Sequence, residues 1–143
     1  MNGKPLPRLG VDELDDQHER MASMREEIRR LPTLSRAHPW LELLEEFRSH
    51  FGLESQMMVE DSFPDHRLHE LDHERILAHM TRIGSDALEG QPIEDSELDS
   101  LGRWMESHLL AADKSLVEFR LETELWKLRE ECQWDALELV GRK

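Results

Sequence analysis

The 143-residue chain has no tyrosine, one cysteine, and only 7 glycines and 6 prolines. A single cysteine, Cys132, leaves no intrachain disulfide, so an apolar core must hold the fold and a reducing cytosol is the expected compartment. The start MNGKPLPRLG lacks the apolar run of a secretory signal, which points the same way. No segment is apolar for long enough to span a bilayer. Positive charge is scarce too: 18 basic residues stand against 32 acidic, a formal net charge of -14. That balance opposes phosphate backbones and anionic membrane faces, so no nucleic-acid or membrane partner is expected. The length suits one domain with a real core.

The few glycines and prolines cluster in GKPLPRLG, LPTLSRAHP, FPD and GQPIED, and between them apolar residues recur every three or four positions. The fold class is therefore all-α. A first helix is expected from about Asp12 to Leu31, with Leu14, Met21, Met24 and Ile28 on one side. A second follows Pro39 and carries Leu41, Leu44, Phe47, Phe51 and Met58. Ser62-Phe63-Pro64 has the cap-then-proline form of a third helix start, running to a stop near Gly90. A fourth begins after Asp95 or Ser96 and includes Leu101, Trp104, Met105 and His108. Four such helices with short connections make an up-and-down antiparallel four-helix bundle over residues 1–119. Residues 120–143 are expected to add a C-terminal amphipathic helix, with Leu121, Leu125, Leu128, Cys132, Ala136 and Leu139 in its stripe and Trp126, Trp134 and Leu137 beside it. Packing of that stripe on its own bundle, giving a monomer, is the preferred expectation; a subunit interface forming a homo-oligomer is the alternative.

Eight histidines are present, three of them in HRLHELDHE. Residues four apart on a helix are ~40° and ~6 Å apart, so both side chains reach one small object. His50 and Glu54 have that spacing, as do His69 and His73. His108 and Asp113 are five apart, which turns them about 140° from each other, so the backbone must distort or end between them if both are to face one point. With His18 on the first helix, every helix sends ligand-type groups toward one end of the bundle, which is how a bundle builds a metal site. Five imidazoles and two carboxylates without a thiolate suit iron better than a structural zinc site. Seven groups are too many for one ion. If both carboxylates bridge two octahedral ions, five histidines and a bridging oxo or hydroxo group fill all but one position. A ferritin-like carboxylate site needs two Glu-x2-His pairs, and only Glu70-x2-His73 is present.

The order DDQH, HFGLE, FPDHRLHELDH and HLLAAD resembles the hemerythrin family in its bacterial single-domain form, over residues 9 to about 119. The resemblance implies a non-heme di-iron centre. In it, His69, His73 and His108 hold one iron, His18 and His50 hold the other, Glu54 and Asp113 bridge them, and dioxygen binds at the two-histidine iron. With no proton-relay acid or redox-active tyrosine evident beside that ligand set, reversible dioxygen binding for storage, delivery or sensing is the leading expectation; the alternatives are a di-iron enzyme acting on peroxide or nitric oxide, and an oxygen- or redox-controlled interaction module. Phe63 stands where the family often has tyrosine, and the helix after residue 119 lies beyond the resemblance. Three histidines are assigned elsewhere: His38, before Pro39 in a loop, His79, and His66, read as a neighbour of the site or a solvent-facing residue. Met57, Met58, Phe51 and Trp104 are read as core residues, with a place against the pocket as the alternative for Trp104, one turn before His108.

Overall fold

The computed structural model describes the backbone of residues 6–141 and the side chains of residues 6–131. The expected Cys132, Trp134, Ala136, Leu137 and Leu139 contacts lie outside the described side chains. Four long helices form the bundle: α1 (Asp12–Arg29), α2 (Ala37–Asp61), α3 (His66–Leu88) and α4 (Asp95–His108). No strand occurs among the described residues. α4 runs through a π-helical turn, Leu109–Asp113, directly into α5 (Lys114–Gly141).

The helix starts carry no side-chain cap hydrogen bonds, and α1 is anchored in another way. Asp15, buried in its first turn, accepts hydrogen bonds from the backbone N–H groups of Leu9 and Gly10 at 2.7 and 3.0 Å. Gly10 has φ +97°, where a side chain is disfavoured, so the entering strand of chain folds back over the end of the helix. The buried Arg36 ties the far end of the bundle together, donating to the carbonyls of Leu31, Ile93 and Arg29.

One core of Met21, Ile28, Trp40, Leu43, Phe47, Met80 and Leu98 with its neighbours fills the middle of the bundle. Trp40 satisfies its indole N–H on the carbonyl of Met80, 2.8 Å away. α2 and α3 approach closely at Gly84, where a Cβ would sit 2.8 Å from Leu41 Cδ2. A second cluster of Leu14, Met57, Met58, Phe63, Leu116 and Val117 closes the other end. The seven predicted metal-ligand residues lie among these packed helices, all buried.

Three sequence-based expectations change. Ser62 closes α2 instead of starting α3: its φ of +51° is left-handed, and the Phe63 N–H returns to the Met58 carbonyl at 3.0 Å. α2 begins at Ala37, so His38 sits in its first turn and not in a loop. α5 is continuous with α4, and Leu121, Leu125, Trp126 and Leu128 are exposed, so over the described residues its stripe is not covered by its own bundle.

Candidate metal centre

All seven residues expected to hold metal, the three spaced pairs and the lone His18, converge. Glu54, His69, His73, His108 and Asp113 form one group of buried ligand atoms within 4.8 Å of one another, and His18, His50, Glu54 and Asp113 form a second. The two groups share both carboxylates. α1 and α2 bring His18 and His50 together with their Nε2 atoms 3.0 Å apart. α3 and α4 do the same for His73 and His108 at 3.1 Å.

The carboxylates divide their oxygens. Glu54 Oε1 lies 2.5 Å from His50 Nε2, while Oε2 lies 2.8 Å from His69 Nε2 and 3.8 Å from His73 Nε2. Asp113 Oδ2 faces His18 Nε2 at 3.2 Å, while Oδ1 faces His69 and His108 at 3.1 and 3.0 Å. Asp113 reaches that position because the wide turn at Leu109–Asp113 absorbs the rotation that a regular helix would impose.

Despite these short separations, both oxygens of Glu54, Asp113 Oδ1 and His69 Nε2 have no aligned hydrogen-bond partner although they are buried. Unmatched polar atoms in a dry interior are costly. Atoms that are close in distance and wrong in angle are aimed at common points between them. The set is all nitrogen and oxygen, buried and convergent, and it fits a pair of cations.

The charge states follow from burial. Burial, with Asp113 alongside, pushes the Glu54 carboxyl up to about 8. Burial pulls His50 down to about 4 and, with His69 and His108 beside it, His73 down to about 2, so both imidazoles are neutral with a lone pair free. His69 is lowered by burial, but the facing Asp113 and Glu54 outweigh that and raise it to about 9. Asp113 is pushed up by burial yet held well below the usual carboxylate range by His108, His18 and His69 around it.

Aromatic rings brace the ligands. Phe51 stacks on His73 with centroids 3.7 Å apart and planes 6° from parallel, and Trp104 stacks on His108 at 4.5 Å. Trp104 and Phe51 therefore line the site, where the sequence reading prefers a place in the core for both and gives the pocket only as the alternative for Trp104. His66 Nε2 pairs with Glu70 at 2.8 Å on the half-exposed side of α3, His79 donates to Glu97, and His38 is exposed. None of these three is in either group.

Two residues escaped the sequence reading. Gln17 Oε1 accepts from His50 Nδ1 at 2.7 Å, and Asp72 Oδ2 accepts from His108 Nδ1 at 2.9 Å. Each directly precedes a histidine of the cluster, His18 or His73, and serves the histidine on the neighbouring helix. A polar side chain just before such a histidine was the available signal. These hydrogen bonds fix which ring nitrogen bears the proton and leave Nε2 as the lone-pair donor.

Residues 9–119 match the model of the hemerythrin HHE cation binding domain. The chain belongs to the hemerythrin family. Among relatives, the Bacteriohemerythrin of Stenotrophomonas maltophilia (strain R551-3) is 25% identical over 114 residues, spanning 77% of this chain and 74% of its own. A crystal structure of wild-type hemerythrin covers 73% of this chain and 84% of the other at TM-score 0.68 and 17% identity. The crystal structure of a leucine-to-phenylalanine mutant covers 73% and 83% at TM-score 0.69 and 18% identity. At these identities the two structures speak for the fold, which this chain shares with hemerythrin through its four-helix bundle.

Proposed function

We propose that this member of the hemerythrin family holds a carboxylate-bridged pair of iron ions and binds dioxygen reversibly. The observation that carries the reading is the division of the carboxylates. Glu54 and Asp113 each turn one oxygen toward the His18 and His50 pair and the other toward His69, His73 and His108. In this reading His69, His73 and His108 would hold one iron, His18 and His50 the other, and Glu54 and Asp113 would serve both. When bound, the ions supply two adjacent redox-active centres with an open position for a small diatomic ligand.

The protein's own part is orientation and exclusion of water. Gln17 and Asp72 hold the rings of His50 and His108 from outside. Beside His18 and His50 lies a cavity of ~10 Å³ walled by Leu6, Met21, Phe47, Phe51, Met105 and Leu109. That is room for about one water-sized molecule. Apart from His18, His50, His108 and Asp113, its described lining is apolar or Trp104, with no further acid or hydroxyl to deliver a proton. Such a wall favours holding a small ligand over cleaving it.

The test is to load the reduced protein with ferrous iron without air, then record its absorption spectrum in air and again after oxygen removal. About two irons per chain and a charge-transfer band that comes and goes are expected, as for a dinuclear bundle site. His50→Ala and His73→Ala should each lose iron and the band, while His38→Ala and His79→Ala keep both. Equal loss in both pairs sinks the ligand assignment. Prompt conversion to the fully oxidised form would instead make the protein an enzyme or a redox sensor.

A further inference from the structure

Past Phe119 the last helix carries apolar side chains that its own bundle does not cover. Leu121, Leu125 and Leu128 are 49%, 57% and 57% exposed, and Trp126 is 61% exposed. The helix continues to Gly141, ~30 Å beyond Leu121 at the usual rise per residue. The steps of four, then three, from Leu121 to Leu125 to Leu128 are those of alternating core positions in a two-stranded coiled coil, and the sequence continues the series at Cys132.

Charge selects the occupant. Residues 120–143 contain 6 acidic and 5 basic residues, a net charge of -1, whereas the whole chain carries -14. This segment is thus the part of the molecule that a second copy can approach without strong repulsion. Glu124 and Arg129, five apart, flank the leucine line on opposite sides. When two copies lie parallel and in register, Glu124 of each meets Arg129 of the other, so one sequence supplies both halves of a symmetric contact twice. Arranged antiparallel over the same leucines, Glu122 would meet Arg129 but Glu124 would meet Glu131, and the attraction is cancelled. By the same spacing Asp135 falls on the next core position and ends the seam, so the pairing is short and reversible.

We infer that the helix beyond residue 119 pairs with the same segment of a second copy as a parallel coiled coil. Sedimentation of the full-length protein over a range of concentrations should show a dimer that dissociates on dilution. Arg129→Glu and Glu124→Arg should each weaken it about tenfold, and the double charge swap should restore it. Iron content and helical circular dichroism should stay unchanged in all three variants, which separates lost pairing from lost folding. Mild oxidation should cross-link the dimer through Cys132, and Cys132→Ser should abolish the cross-link. A monomer at every concentration would overturn the inference and leave the stripe to a different protein. A dimer indifferent to both charge reversals, or one that Cys132 cannot cross-link, would overturn it as well.

Discussion

Glu54 shows how one buried side chain can link metal binding to stability. Without metal, its carboxyl is pushed by burial up to about 8 from 4.5, so between those values the unfolded chain has released a proton that the fold retains. Its contribution therefore falls as pH rises from 4.5 to 8. His69, raised to about 9, supports the fold fully below 6.5 and loses that support as pH rises toward 9. His50 and His73, lowered to about 4 and about 2, act in the opposite direction: below 6.5 the unfolded chain takes up protons that the fold refuses, and stability drops with acidification. Between 4.5 and 6.5 the two histidines outweigh Glu54, and above 6.5 Glu54 and His69 act together. The site's contribution to the metal-free protein should thus peak near pH 6.5, with flanks of about 1.4 kcal/mol per pH unit for each proton of difference. Denaturant titrations of metal-free protein from pH 4.5 to 8.5 measure it. Glu54→Gln, which has no proton to release, should flatten part of the alkaline flank; an unchanged flank would contradict this account.

The π turn is the element that the sequence made most legible, because simple rotation requires it. His108 and Asp113 cannot share a face of a regular helix, and the wide turn at Leu109–Asp113 is where the conflict is resolved, with the small Ala111 and Ala112 inside it. The start of α3 was less legible. Ser-Phe-Pro carries the same residues whether the serine opens one helix or closes another, and the choice lies in packing: Phe63 is buried with Leu116 and Val117 and meets the Phe119 ring at 5.4 Å. That contact spans more than fifty residues of sequence, beyond the reach of local signals. A wide turn is less favourable than a regular one, and here the five-residue step from His108 to Asp113 is what requires it. Deleting Ala112 should remove the extra residue, restore a regular ladder and keep Leu116 and Val117 in phase. The metal-free variant should be as stable as the parent or more so, and iron binding should survive, because the carboxylate then stands four residues from His108, the spacing at which Glu54 follows His50, and still faces the site. Thermal melts and iron titrations check both halves; iron binding lost on an unchanged melting temperature, or a collapsed melting temperature, would refute the explanation.

At the scale of the whole molecule, periodicity correctly marked residues after Asp113 as helical, but it could not tell where that helix points. Direction is set by continuity: because the π turn passes without a break into α5, the helix keeps the axis of α4 instead of turning back over the bundle. The real boundary lies within α5. Leu116 and Val117 are buried in the second cluster, and Arg120 reaches back to Asp61 at 2.9 Å, whereas the described side chains from Leu121 onward are mostly exposed. Ending the chain after Arg120 should therefore leave iron content intact and change unfolding free energy by less than about 1 kcal/mol, since little apolar surface is uncovered. Ending it after Ser115 removes two buried aliphatic side chains and the Phe119 ring against Phe63, each worth about 1.5–3 kcal/mol when fully buried, and uncovers the cluster beneath Met57 and Met58. That second truncation should unfold or melt far lower and lose iron, because the floor beneath Asp113 goes with it. Denaturation and iron analysis of the two shortened chains decide the matter: a stability loss of several kcal/mol already at Arg120 would mean that the helix beyond it supports its own bundle after all.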